Sequence, residues 1–184
     1  SNLLMVRPGQ RLGAGMGGAP AFKQADAEAI LSQLGGIKAV APEQRAGVMV
    51  VANNRNWATS ITGTTNAYFQ TNNWQLASGR SFEEAEERAG AAVCVVGDTI
   101  RRELFGKADV VGEKIRIKQF SCEVIGQLAP KGRAAMGNDQ DDIIVLPLAT
   151  VQRRVTGNQR VGTLLVSMAD GTDTERVKTS LTEL

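Results

Sequence analysis

Five polar residues, Asn138-Asp139-Gln140-Asp141-Asp142, run without a spacer into Ile143-Ile144-Val145-Leu146, and Pro147 closes the run. Unpaired ionised carboxylates are too costly for an apolar interior. The turn is therefore expected to face water, a cation or a basic partner, while Ile143 to Leu146 form a strand in the core. Lys131 and Arg133 lie earlier in the same polar loop, Pro130 to Asp142. Together Lys131, Arg133, Asp139, Gln140, Asp141 and Asp142 make a candidate partner-contact loop. The plainer expectation is that the turn stabilises its own loop. Calcium-loop spacing fails, because Ile143 occupies the third ligand position.

The residue supply around this turn excludes several classes of function. The net charge of +2 is too small for a nucleic-acid or membrane-surface binder. No apolar run approaches the ~20 residues that span a bilayer. The chain has no histidine, which removes the commonest general base and metal ligand and rules out a Ser-His-Asp arrangement. No P-loop is present. The acidic stretch Glu83, Glu84, Glu86 and Glu87 reads as a solvated helix start rather than a metal site. No catalytic residue, cofactor or metal is therefore expected. Cys94 and Cys122 both fall in apolar strands. Two buried thiols are the favoured reading, with a disulfide between adjacent strands as the alternative.

Gly13, Gly15 and Gly18 spell G-x-G-x-x-G inside a glycine-rich stretch, Gly9 to Pro20. A dinucleotide site needs a strand running straight into the motif and a helix opening at its end. Arg7 to Leu12 and Ala19 to Ala21 intervene, so a loop is the better reading. Before it, Leu3 to Val6 is a short strand. After it, Phe22 to Leu34 reads as a helix with Ala27, Ile30, Leu31 and Leu34 on one face. Ile37 to Val40 is a strand, and Val48 to Val51 and Trp57 to Thr62 form a hairpin across Asn53 to Asn56.

The middle of the chain reads as turns and short elements. Gly63 to Trp74 is turn-rich, Leu76 to Phe82 is a tight turn, and Glu83 to Arg88 is a helix. Ala92 to Val96 is a strand, and Asp98 caps a helix over Thr99 to Phe105. Glu113 to Lys118 and Phe120 to Leu128 form a hairpin with one wet face. Pro147 opens a helix, Leu148 to Val155. Val161 to Met168 is a strand, and a last helix, capped by Thr172 or Asp173, places Val177, Leu181 and Leu184 on one stripe. Both chain ends read as trimmed from something longer.

A β-α-β-β opening and a late β-α nearly complete a ferredoxin-like split βαβ unit. The expected fold is α+β with two lobes. One is an α/β lobe made from both chain ends, residues 1–62 and 158–184. The other is an inserted mixed α/β lobe, residues 63–157.

Several pieces in order carry a family resemblance. They are Asn2 through Gly9, Gly63-Thr64-Thr65 with Tyr68-Phe69, Leu76 through Phe82, and Ala92 through Gly97. Leu104-Phe105-Gly106, Val111-Gly112, Val124-Ile125-Gly126, Asp139 through Asp142 with Val145 and Pro147, and Gln152-Arg153-Arg154 follow. The set resembles the periplasmic core domain of MacB-type ABC transporter permeases, the macrolide-exporter and lipoprotein-release relatives.

The resemblance implies an extracytoplasmic, periplasmic domain between two membrane helices of an inner-membrane permease, with porter-like and sabre-like lobes. It implies a homodimeric transporter with its ATPase domain in cis or on a separate subunit. It also implies a periplasmic adaptor and an outer-membrane channel as partners. The implied role is mechanotransmission: ATP-driven motion of membrane helices passed outward for efflux or export. The competing expectation is a ligand-sensing domain that binds a peptide or lipid between its lobes.

Overall fold

The computed structural model describes residues 2–6, 25, 29–30, 37–134 and 137–168. The longest element is strand β2, Ile37–Ala52, which runs through 16 residues without a break. The sequence suggests two strands here, separated by a polar stretch with Pro42 and Gly47. Pro42 is accommodated because it lies where β2 pairs only with β9, just before the ladder to β3 begins at Gln44. A proline in a sheet needs such an incompletely paired place.

Each half of β2 belongs to a different set of strands. Strand β1, Asn2–Val6, pairs antiparallel with β9, Thr163–Met168, and β9 pairs antiparallel with Ile37 to Glu43 of β2. The second half of β2 pairs antiparallel with β3, Arg55–Thr64. The reversal falls on Asn53 and Asn54, whose φ angles of 53° and 60° suit asparagine better than most residues.

The pairings then run in a ring. Strand β3 is parallel to β8, Ile144–Pro147, and β8 is antiparallel to β5, Val93–Val96. Strand β5 is parallel to β7, Phe120–Leu128, which is antiparallel to β6, Lys114–Ile117. Strand β6 returns to β2 at Val50 and Val51 and closes the circuit. Strand β4, Leu76–Gly79, extends β7 from the residues that β6 leaves free. The sequence reads Leu76 to Phe82 as a tight turn; the first four residues are instead an edge strand.

Alternation along these strands builds two cores. Val50, Ile61, Cys94, Val96, Ile115, Ile117, Cys122, Val124, Ile144 and Leu146 pack together, joined by Ile100, Leu104 and Val151. Residues of opposite parity, Val95, Ile125 and Val145, pack with Ala41, Tyr68, Phe82 and Leu165. A strand buried on both faces reads as an unbroken apolar run, which is why Ile143 to Leu146 is so legible in sequence. Smaller packing around Val40, Leu164 and Val166 includes Ile30, which is helical together with Ala25 and Ala29.

Cys94 and Cys122 form a disulfide with Cα atoms 5.8 Å apart, which overturns the favoured reading of two thiols. The parallel pairing of β5 with β7 sets Cys94 opposite Val124 and brings Cys122 to the same face. That pairing crosses 28 residues and has no local sequence signal.

The helices are short. Helix α1, Ala67–Thr71, occupies a stretch that reads as turns, and buried Tyr68 explains its place: α1 lies against the core that holds Val95, Ile125 and Val145. Helix α2, Glu84–Ala89, follows N-cap Glu83. Helix α3, Asp98–Ile100, continues as one π-helical turn over Arg101–Phe105. Its N-cap is Gly97 and not Asp98, whose carboxylate takes Arg101 Nε at 2.7 Å instead. Helix α4, Leu148–Val151, continues likewise over Gln152–Thr156. The glycine motif at Gly13, Gly15 and Gly18 and the last expected helix lie outside the described residues.

Candidate functional site

The polar loop Pro130 to Asp142 folds back on itself before it enters β8. Arg133 and Asp139 form a β-bridge, and Ala134 N–H donates to Asn138 O at 2.8 Å. Its carboxylates then turn inward one by one. Asp141 is only 6% exposed. Its two oxygens accept consecutive backbone N–H groups, Lys131 at 2.8 Å and Gly132 at 2.9 Å. The expectation that the whole turn faces water, a cation or a basic partner therefore fails at Asp141. Backbone donors replace the lost solvent there, as in other anion-holding nests.

Asp142 Oδ1 accepts from the Trp57 indole at 3.0 Å and the Thr59 hydroxyl at 2.6 Å, both on β3. Asp139 Oδ2 accepts from the Thr99 hydroxyl at 2.6 Å, and its Oδ1 takes Asp141 N–H at 3.0 Å. The Thr99 hydroxyl, followed by the Asp141 amide, holds the Asp139 carboxyl below its ordinary range. The turn thus clasps β3 through Asp142 and the start of α3 through Asp139. Gly97 completes the clasp: its N–H donates to Ile143 O at 2.9 Å, while Thr99 N–H donates to Asp141 O at 3.2 Å. A Cβ on Gly97 would sit 2.2 Å from Asp141 O, so the two backbones meet only because residue 97 is glycine.

The basic residues of the loop behave differently. The Lys131 ammonium lies 4.1 Å from the centre of the Trp74 ring and also donates to Asn72 O. Burial against that ring lowers its pKa. Arg133 is exposed and donates to Gly137 O at 2.8 Å; Gln140 Nε2 reaches Gly132 O at 3.5 Å. The structure brings all six sequence-selected residues into one loop. It adds Trp57, Thr59, Trp74, Gly97 and Thr99, which sequence reasoning did not select. A donor on another strand leaves no trace in the local pattern, so no signal near these residues marks them.

Elsewhere the acidic helix is knitted into its surroundings. Arg80 grips Glu86 with two bonds, 2.8 and 3.0 Å, and this holds the Glu86 carboxyl below its ordinary range. Among the described residues, no group of three His, Cys, Asp or Glu could hold a metal ion. A half-open cleft of about 850 Å³ is lined by Thr64, Glu84, Arg88, Gln152, Arg153 and Asn158, with other residues of α2, α4 and the following loop.

Comparison with known proteins fits this architecture. The model of the MacB-like periplasmic core domain matches residues 1–184. The chain belongs to this family. It is 36% identical over 186 residues to a macrolide export ATP-binding/permease protein MacB of Rhodospirillum rubrum, covering 100% of this chain and 28% of that protein. A MacB of Bdellovibrio bacteriovorus is 37% identical over 188 residues, covering 100% of this chain and 29% of the relative. The MacB-like domain described here therefore spans less than a third of those curated relatives.

Among solved structures, the periplasmic region of MacB from Actinobacillus actinomycetemcomitans superposes with a TM-score of 0.82 at 23% identity. The match covers 100% of this chain and 82% of that one. The extracellular domain of the noncanonic ABC-type transporter YknZ from Gram-positive bacteria superposes with a TM-score of 0.72 at 16% identity, covering 97% and 86%. The MacB-like fold is thus a mixed α/β domain, and the chain is the periplasmic domain of a MacB-like ABC transporter permease.

Proposed function

We propose that this domain passes ATP-driven movement of permease helices to extracytoplasmic partners during efflux or export, and does no chemistry of its own. The observation that carries the reading is β2. One uninterrupted strand is held at one end by β9, which is itself paired with β1, and at the other by the ring of strands. Displacement of the chain-end strands must therefore be felt across the molecule. Two lobes fit this role: residues 1–62 with 158–184 as a ferredoxin-like, porter-like lobe, and 63–157 as an inserted sabre-like lobe. The sheet of β1, β9 and β2, drawn from both chain ends, supports the division. The β3–β8 and β2–β6 ladders would join the lobes.

The partners in this reading are a periplasmic adaptor, an outer-membrane channel and a second permease copy, with the ATPase domain in cis or on a separate subunit. The loop from Lys131 to Asp142 is the proposed adaptor contact. Within it, Asp139, Asp141 and Asp142 maintain the clasp, and Lys131 packs on Trp74. Arg133 and Gln140 are the side chains left to meet a partner. The ligand-sensing alternative draws less support, because the half-open cleft has charged and amide walls where a lipid would need apolar ones.

The test uses the parent permease reconstituted in vesicles with its adaptor. Adaptor-stimulated ATP hydrolysis should fall several-fold in Arg133→Glu combined with Gln140→Ala, while basal hydrolysis is unchanged. Stimulation at the unmodified level would remove the loop from the contact. A complete absence of stimulation and binding with the unmodified permease would remove the coupling role itself.

A further inference from the structure

Cys94 and Cys122 are both fully enclosed. Cys94 lies on β5, which has β8 on one flank and β7 on the other. Cys122 lies on β7, which pairs with β5 and β6. Both side chains share one core with Ile100, Leu104, Ile115, Ile117, Ile144 and Leu146. A protein disulfide forms when a thiolate attacks a sulfur of another disulfide, so thiol and oxidant must meet. In the closed ring no such oxidant reaches either cysteine. The bond is therefore made before β7 docks on β5, or through an opening that parts those strands.

Folding and oxidation then compete for the unfolded chain. The ring rests on long-range pairings, β3 with β8, β5 with β7 and β6 with β2. Domains dominated by such pairings fold in about milliseconds to seconds. Disulfide formation without a fast oxidant takes seconds to hours. Only the thiolate reacts, and an unfolded cysteine is mostly protonated at neutral pH. Folding thus outruns slow oxidation and seals both cysteines as thiols, in a core that accepts them as small apolar side chains. The bonded form calls for an oxidant quick enough to act while the strands are still apart.

We propose that this domain is a substrate of an extracytoplasmic oxidoreductase that carries a reactive disulfide, and that the enzyme acts before the ring closes. Cys94 precedes Cys122 with a sequence separation of 28, so it leaves the membrane first in N-to-C export. Its thiolate attacks the enzyme's disulfide, giving a mixed disulfide and one enzyme thiolate. The Cys122 thiolate then attacks the Cys94 sulfur of the mixed disulfide. The Cys94–Cys122 bond forms, and the second enzyme sulfur leaves. Two electrons pass to the enzyme, and the two protons shed by the substrate thiols are matched by two taken up as its dithiol forms. The periplasmic place of the domain supplies a compartment where such oxidants work. The inference goes beyond the force-transmitting role and does not depend on it.

The test starts from the reduced chain, unfolded in urea and diluted anaerobically into native buffer. Acid quench and maleimide labelling count bonded and free thiols over time. A purified oxidoreductase with a strongly oxidising disulfide is added either at dilution or after circular dichroism shows folding to be complete. Added at dilution, it should bond nearly all chains. Added afterwards, it should act at least about 100-fold more slowly, because only the opened fraction of molecules reacts. Oxidised glutathione added at dilution should leave most chains as folded dithiol. Equal rates before and after folding would overturn the early step, and so would a reduced chain that never folds and keeps its thiols reactive. Glutathione disulfide that bonds the chains as fully as the enzyme would overturn the need for an oxidoreductase. In cells without their extracytoplasmic thiol oxidase, the denatured parent permease should take maleimide at Cys94 and Cys122; a fully bonded pair there would overturn the proposal as well.

Discussion

Opening the Cys94–Cys122 bond should cost this domain about 3.6 kcal/mol. The bond closes a segment with a sequence separation of 28, which includes α3, its π-helical turn and β6. In the unfolded chain that closure removes about 12 cal/mol/K of conformational entropy, or about 3.6 kcal/mol at 25 °C. For a chain of this size the loss corresponds to a melting point lower by about 7–14 °C. Neither cysteine is exposed, so reductant should reach the bond only through unfolding. The experiment compares urea transitions of the oxidised protein, the protein reduced while unfolded and then refolded, and Cys94→Ala combined with Cys122→Ala. The reduced chain isolates the cross-link. The double variant should lose about 1 kcal/mol more, because two side chains leave the ring interior underfilled. Coincident transitions for oxidised and reduced protein would refute the reasoning, as would two free thiols in the purified native domain.

The clasp around the acidic turn gives two more tests. Gly97→Ala should cost about 3 kcal/mol in urea, since its Cβ would lie 2.2 Å from backbone oxygen Asp141 O. Gly47→Ala, with nothing within 4 Å, should stay within about 0.5 kcal/mol; similar values for the two would show that the close approach is not real. Asp139 is held below its ordinary value of 3.8 in the fold, chiefly by Thr99, so its contribution is present above that pH and is lost as pH falls through the lowered value. Removing the hydroxyl in Thr99→Val should destabilise the protein at pH 7 and less so at pH 3, a narrowing that parallel acid titrations of stability would detect or exclude.

What the sequence made legible followed from local pattern. β6 and β7 are readable because Ile115, Ile117, Phe120 and Cys122 alternate with polar residues. Their ends differ from the expected ones by a residue or two at most. The segment Ile144–Pro147 is readable because both its faces are buried. The acidic loop is legible as polar, but the inward turn of its carboxylates is not, because their donors come from outside the turn. The single strand β2 is hidden by Pro42, Glu43 and Gln44, which are buried although polar or strand-breaking; Pro42 and Glu43 pair with β9, far along the chain. Long-range pairings explain the other misses too. The return of β6 to β2, the bridge between Cys94 and Cys122, and the reach of Trp57 to Asp142 join residues 28 to 85 positions apart or arise from such joins. No local periodicity encodes them. Helix α1 lies in a polar stretch where its anchors, Tyr68 and Phe69, are adjacent residues rather than a repeating face.

An extended strand rises about 3.3 Å per residue, so Ile37–Ala52 measures on the order of 50 Å, comparable with the whole width of a domain this size. Peptide hydrogen bonds grip it along most of that length, on alternating flanks. A beam fixed in this manner bends little and cannot telescope. A push on its Ile37 end would therefore move the Asn53-Asn54 tip together with the strands bonded to it, as one body.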